Sequence, residues 1–73
     1  MGTTIDDREY LENSSVVLEY LAQNNEITNR QLRAISNLGY DKAISLFNRM
    51  IRNGLVKRIG RGSATKYVKM SRK

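Results

Sequence analysis

The sequence predicts a small α+β domain, mostly helical, in which three helices precede an antiparallel β-hairpin. Three observations lead there. Apolar residues recur at helical spacing from Tyr10 to Leu21 and again from Ala43 to Ile51. Between them, Ile27-Thr28-Asn29-Arg30-Gln31-Leu32 has the spacing of a helix-capping box with a hydrophobic staple. After Gly54, two short β-prone segments flank a Gly-Arg-Gly turn.

Each element follows from local chemistry. Tyr10, Leu11, Val17, Leu18 and Leu21 define a first helix that ends near Asn24-Asn25. Its start is open, because Asn13-Ser14-Ser15 fits either an N-cap or the interior of a longer helix. The second helix starts at Thr28, whose hydroxyl accepts from the Gln31 N–H while Gln31 reaches back to the Thr28 N–H. It is about two turns long, carries Leu32 and Ile35 inward and ends by Asn37. Leu38-Gly39 makes the turn into a third helix over about 40–53. With Ala43 at zero, Phe47, Met50 and Ile51 form its apolar stripe, with Ile44 and Leu46 at the edges. Arg52, Ser45, Arg49 and Lys42 occupy the opposite face, at roughly 180° to 260°. Gly54 stops this helix as a left-handed residue, and Leu55 packs back on Met50 in a Schellman motif. The hairpin runs as a strand over Leu55–Ile59, a turn over Gly60–Ser63 and a return over Ala64–Val68. Residues 1–9 are expected to fray, 10–69 to form the domain, and 70–73 to be a basic tail.

Composition narrows the function. A chain of 73 residues is one domain; at this size folding buries only about 60% of the unfolded surface. With 40% hydrophobic and 27% charged residues, it is of ordinary globular composition rather than disordered. No apolar run approaches the ~20 residues of a membrane span, and no secretory h-region follows Met1. There is no cysteine, so disulfides and thiolate metal sites are excluded, and no histidine, which removes the commonest general base. The reading is a compact, basic, cytoplasmic module whose work is binding.

Charge is unevenly placed. The net charge is +6, with 13 Lys and Arg against 7 Asp and Glu. Six of those acids, Asp6, Asp7, Glu9, Glu12, Glu19 and Glu26, precede Ile27, and only Arg8 balances them. Every other cation follows Ile27, against Asp41 alone. Such a split predicts one electropositive face, and a polyanion, nucleic acid first, as its partner.

The stretch EITNRQLRAISNLGYDKAISLFNRMIRNGLVKRIGRGSATKYVK resembles the winged helix-turn-helix family, over about residues 14–69. Within it, NGLVKRIGRGSATKYV is similar to the family's wing: a Gly-apolar-apolar strand, a basic Gly-x-Gly turn and a Thr-x-Tyr return. More narrowly, it looks like the C-terminal winged-helix domain of bacterial predicted transcriptional regulators and RecG-helicase-related proteins. The resemblance implies that the third helix enters the major groove of duplex DNA and that the hairpin lies along the backbone or in the minor groove. On that reading, Tyr40, Lys42, Ser45, Arg49 and Arg52 of the third helix face nucleic acid. The wing contributes Arg58, Arg61 and Lys66. The second helix contributes Arg30 and Arg33, and its N-terminus at Thr28-Asn29 presents N–H groups to a phosphate. Contact with four to eight phosphates would give a log–log salt slope of about −4 to −7.

Two residues depart from this pattern. Asp41, in the first turn of the third helix, is read first as a cap or dipole partner, with cytosine contact or phosphate repulsion as the alternatives. Leu46 is read as core or flank packing, against a thymine-methyl contact or a protein interface. The remaining motifs give no enzyme. The acidic cluster Asp6, Asp7, Glu9, Glu12 has nothing to converge it on a metal, and acids favour a helix start anyway. Gly60-Arg61-Gly62 lacks the Gly-Lys-Ser/Thr ending of a P-loop. The serines have no base to activate them. Among the tyrosines, Tyr67 and Tyr20 are expected to pack and Tyr40 to touch nucleic acid. No cofactor, metal, membrane or small-molecule partner is expected. The alternative to DNA binding is a protein-interaction or dimerisation module. A third reading is an accessory domain excised from a larger ATP-dependent enzyme.

Overall fold

The computed structural model describes residues 5–70. Expectations for residues 1–4 and 71–73 lie outside the described residues. The elements are α1 (Asp7–Gln23), α2 (Asn29–Ile35), α3 (Tyr40–Arg52), β1 (Val56–Ile59) and β2 (Lys66–Lys69), with a short 3₁₀ turn at Gly62–Ala64 between the strands.

α1 starts three residues before the expected Tyr10. Asp6 is its N-cap: the Glu9 N–H donates to Asp6 Oδ1 at 2.8 Å and the Asp6 N–H donates to Glu9 Oε1 at 3.3 Å. Ile5 before the cap and Tyr10 four residues after it are both buried, which completes a hydrophobic staple. The acidic cluster at this end is therefore helix-starting chemistry. Asn13 and Ser14, which also fitted an N-cap, lie inside the helix. Asn13 Nδ2 donates to the Glu9 carbonyl at 2.9 Å, and Ser14 Oγ donates to the Leu11 carbonyl at 3.3 Å.

α2 opens with the same device. The Gln31 N–H donates to Thr28 Oγ1 at 3.1 Å and the Thr28 N–H to Gln31 Oε1 at 2.9 Å. Ile27 and Leu32, the two ends of the staple, are fully buried. Ile35 was expected to point inward, but it is 41% exposed. The helix has only seven residues and buries Leu32 alone, so its inward stripe is one residue wide.

α3 buries Ala43, Leu46, Phe47 and Met50. The stripe is rotated from the expected one. Leu46 is fully buried and Ile51 is the half-buried edge, because α1 packs along the Leu46 side. Asp41 does not cap the helix. Gly39 is the N-cap, with no side-chain cap hydrogen bond, and Asp41 lies in the first turn, where its charge complements the helix dipole. The C-terminus closes as a Schellman motif: the Gly54 N–H donates to the Ile51 carbonyl at 3.0 Å and the Leu55 N–H to the Met50 carbonyl at 2.9 Å. Gly54 has φ +78° there.

β1 and β2 pair antiparallel, with Val56 opposite Lys69 and Ile59 opposite Lys66. The tip is longer than expected, since Ala64 and Thr65 belong to the turn. The Ala64 N–H donates to the Arg61 carbonyl at 3.1 Å, and Thr65 Oγ1 donates to the Gly62 carbonyl at 2.8 Å. Ile27 bridges Tyr67 through two backbone hydrogen bonds of 2.9 and 2.8 Å, so the segment between α1 and α2 lies against the inner edge of β2. Tyr67 then stacks on Phe47, with centroids 3.8 Å apart and planes 9° from parallel. The hairpin is thereby fastened to both the α1–α2 connection and α3.

Candidate nucleic-acid interface

α2, α3 and the hairpin enclose an open cleft of about 600 Å³. The start of α2 contributes Thr28, Asn29, Arg30 and Arg33 to its wall. One face of α3 contributes Tyr40, Ile44 and Asn48, and the hairpin contributes Arg58, Gly62, Thr65 and Tyr67. Among the described residues, three arginines border it and no carboxylate does.

Part of the wall is held in place. Arg33 Nε donates to Asn29 Oδ1 at 2.7 Å, and its guanidinium lies 5.5 Å from the Tyr40 ring centroid. Asn29 Nδ2 donates to the Tyr40 carbonyl at 3.5 Å. Tyr40 itself stays 57% exposed, so its outer face remains open for stacking. Tyr67 is the buried part of the wall. Burial raises its hydroxyl pKa above the ordinary 10.0, against a lowering by the positive charge of Arg58. Thr28 and Gln31 use their cap N–H groups on each other, so the expected phosphate contact at Thr28 loses those donors.

The other flank of α3 is closed by the acidic start of α1. Lys42 Nζ donates to Glu9 Oε2 at 2.7 Å. That hydrogen bond is the chief cause that raises the lysine pKa above 10.5, with further help from the Glu9 and Asp6 charges. Arg49 Nη2 reaches Asp7 Oδ1 at 2.6 Å and its guanidinium lies 4.3 Å from the Tyr10 ring centroid. Asn53 Nδ2 fixes that ring by donating to the Tyr10 hydroxyl at 2.7 Å. Ser45, Arg49 and Arg52 border a separate depression of about 370 Å³, with Ile5 and Asn48.

The cations thus divide between sides of the molecule, where one electropositive face was expected. The cleft gathers Thr28, Asn29, Arg30, Arg33, Tyr40 and Arg58. Lys42 and Arg49 turn to α1, Ser45 and Arg52 lie on the far flank, and Lys66 pairs with Glu26 at 3.2 Å. Arg61 is exposed in the hairpin tip. Ile44, Asn48 and Thr65 also line the cleft, although the sequence points to Ile44 only as an edge of the apolar stripe and to neither of the others as a site residue. For two of them the spacing is a signal: Ile44 and Asn48 follow Tyr40 at four-residue intervals, which stacks them along one helix face.

Comparison of the chain with family models, with curated proteins and with solved structures found no match.

Proposed function

We propose that this domain is a winged helix-turn-helix module that binds duplex DNA, with α3 in the major groove and the hairpin as the wing. It acts by binding and carries out no reaction of its own. The observation that carries this reading is the convergence of Arg30, Arg33 and Arg58 on one cleft, bordered by no carboxylate among the described residues, beside the exposed Tyr40. Backbone-tracking cations are what a polyanion calls for, and the exposed Tyr40 hydroxyl beside them can donate to a phosphate oxygen. Element order supports it too: capped α2, tight turn, longer α3, then a glycine-tipped hairpin beside a third extended segment at Ile27. α3 has 13 residues, which makes a rod about 20 Å long, and a helix with its side chains is about 10–12 Å across, which fits a groove about 12 Å wide. The resemblance to bacterial regulators and RecG-related proteins supplies the setting, a cytoplasmic module within a larger DNA-handling chain.

Fluorescence anisotropy with a labelled duplex at several salt concentrations tests this. Among the described residues, Arg30, Arg33, Arg58 and Arg61 have no carboxylate partner, and four such cations give a log–log slope of about −3.6. Replacing Arg30 or Arg58 with alanine reduces that slope by about 1 and weakens binding to all sequences alike. Salt-independent binding, or none at low salt, overturns the reading.

A further inference from the structure

Asn48 stands on the ridge of α3 between the two depressions and borders both. It is exposed, and among the described residues its amide makes no hydrogen bond. That sets it apart from the other helix and cap asparagines. Asn13 and Asn24 donate to backbone carbonyls of α1, Asn29 is engaged by Arg33, and Asn53 donates to the Tyr10 hydroxyl. One turn before Asn48 on the same face, Ile44 is half-buried and lines the cleft.

We infer, resting on the DNA-binding reading above, that α3 reads A·T pairs, with Asn48 paired to an adenine edge and Ile44 against a thymine methyl. A primary amide offers one acceptor and a donor group side by side, which matches adenine N6 and N7 in the major groove. An apolar side chain one helical turn away suits the C5-methyl of a neighbouring thymine. The guanine-reading alternative requires an arginine or lysine of α3 directed at the groove, and Lys42 is held by Glu9 at 2.7 Å. Arg49 is held by Asp7 and the Tyr10 ring, and Arg52 is the last residue of α3, away from the end nearest Tyr40 and α2.

The test uses alternating A·T and G·C duplexes of equal length. In a second pair, deoxyuridine replaces thymidine, or 7-deazaadenine replaces adenine; both changes alter only the major groove. The expected result is tighter binding to A·T by about tenfold or more, and loss of most of that margin with 7-deazaadenine. Deoxyuridine should remove a smaller share. Asn48→Ala should equalise the A·T and G·C duplexes and leave the salt slope unchanged, and Ile44→Ala should lose only the response to deoxyuridine. Circular dichroism checks that the variants fold. Salt-dependent binding that ignores base pair and both analogues overturns this inference and leaves DNA binding standing. Absence of binding to either duplex at low salt overturns DNA binding itself.

Discussion

Neutralising Asp7 and Glu9 should strengthen the interaction with duplex DNA and steepen its dependence on salt. These carboxylates hold Arg49 and Lys42 at 2.6 and 2.7 Å. A cation already matched by a protein carboxylate releases no counterion when DNA arrives. With both pairs closed, four arginines set a log–log slope of about −3.6. Freeing two more cations moves it to about −5.4, which at ~0.1 M salt is a gain of about 60-fold in affinity. The Asp7 carboxylate is 88% exposed and that of Glu9 31%, so Glu9 is the firmer holder and Glu9→Gln should show most of the gain. The change is local, because glutamine at position 9 still accepts from the Asp6 N–H and keeps the cap. Anisotropy titrations of Asp7→Asn, Glu9→Gln and the double variant, from about 50 to 200 mM salt, measure both quantities. A double variant with unchanged slope and unchanged affinity refutes the idea that α1 restrains these cations.

Three further expectations concern the scaffold. Gly60→Ala places a Cβ 2.4 Å from the Ala64 carbonyl oxygen at φ +75°, whereas Gly54→Ala meets nothing within 4 Å. Gly54→Ala should therefore cost about 1–2 kcal/mol from the left-handed backbone alone, and Gly60→Ala more, read as urea midpoints at constant m-value. Thr28→Ala should cost about 1 kcal/mol by removing the α2 cap, with Thr28→Ser nearly neutral in the same assay. Alkaline pH should destabilise the fold. Lys42 and Tyr67 both bind their protons more tightly folded than unfolded, so their contribution is complete below pH 10.0 and is lost as pH rises through the folded values. Tyr67→Phe should flatten that decline in stability-versus-pH measurements; an unchanged profile would show that the hydroxyl takes no part.

Local signals are legible where the residue types match a known device. The Thr28–Gln31 box and the Gly54 Schellman motif depend on residues within six positions of one another, and both are present as read. The Asp6–Glu9 box is as local, and its acids suit a helix start, but nothing in the sequence singles out Asp6 as the cap; the buried Ile5 that completes its staple shows only in the fold. Long-range pairing was less legible. Nothing near Lys42 in sequence announces Glu9, 33 positions away, or shows that Asp7 meets Arg49 across 42. Charge counting therefore placed these cations with the rest, and the packing of α1 on α3 decides otherwise. The rotation of the α3 stripe has the same origin. A helical wheel gives the angular order of residues, but the position of the neighbouring helix selects which arc is covered.

The two-way bridge between Ile27 and Tyr67 bears on protein engineering. A finger joined only through its own stem could be trimmed or exchanged between scaffolds as a cassette. Here, cutting the chain after Gly54 would strip Phe47 of its stacking partner and leave the Ile27 amide and carbonyl, at a fully buried residue, without partners. Grafts with new specificity should therefore replace only the loop between Gly60 and Thr65 and retain both stems.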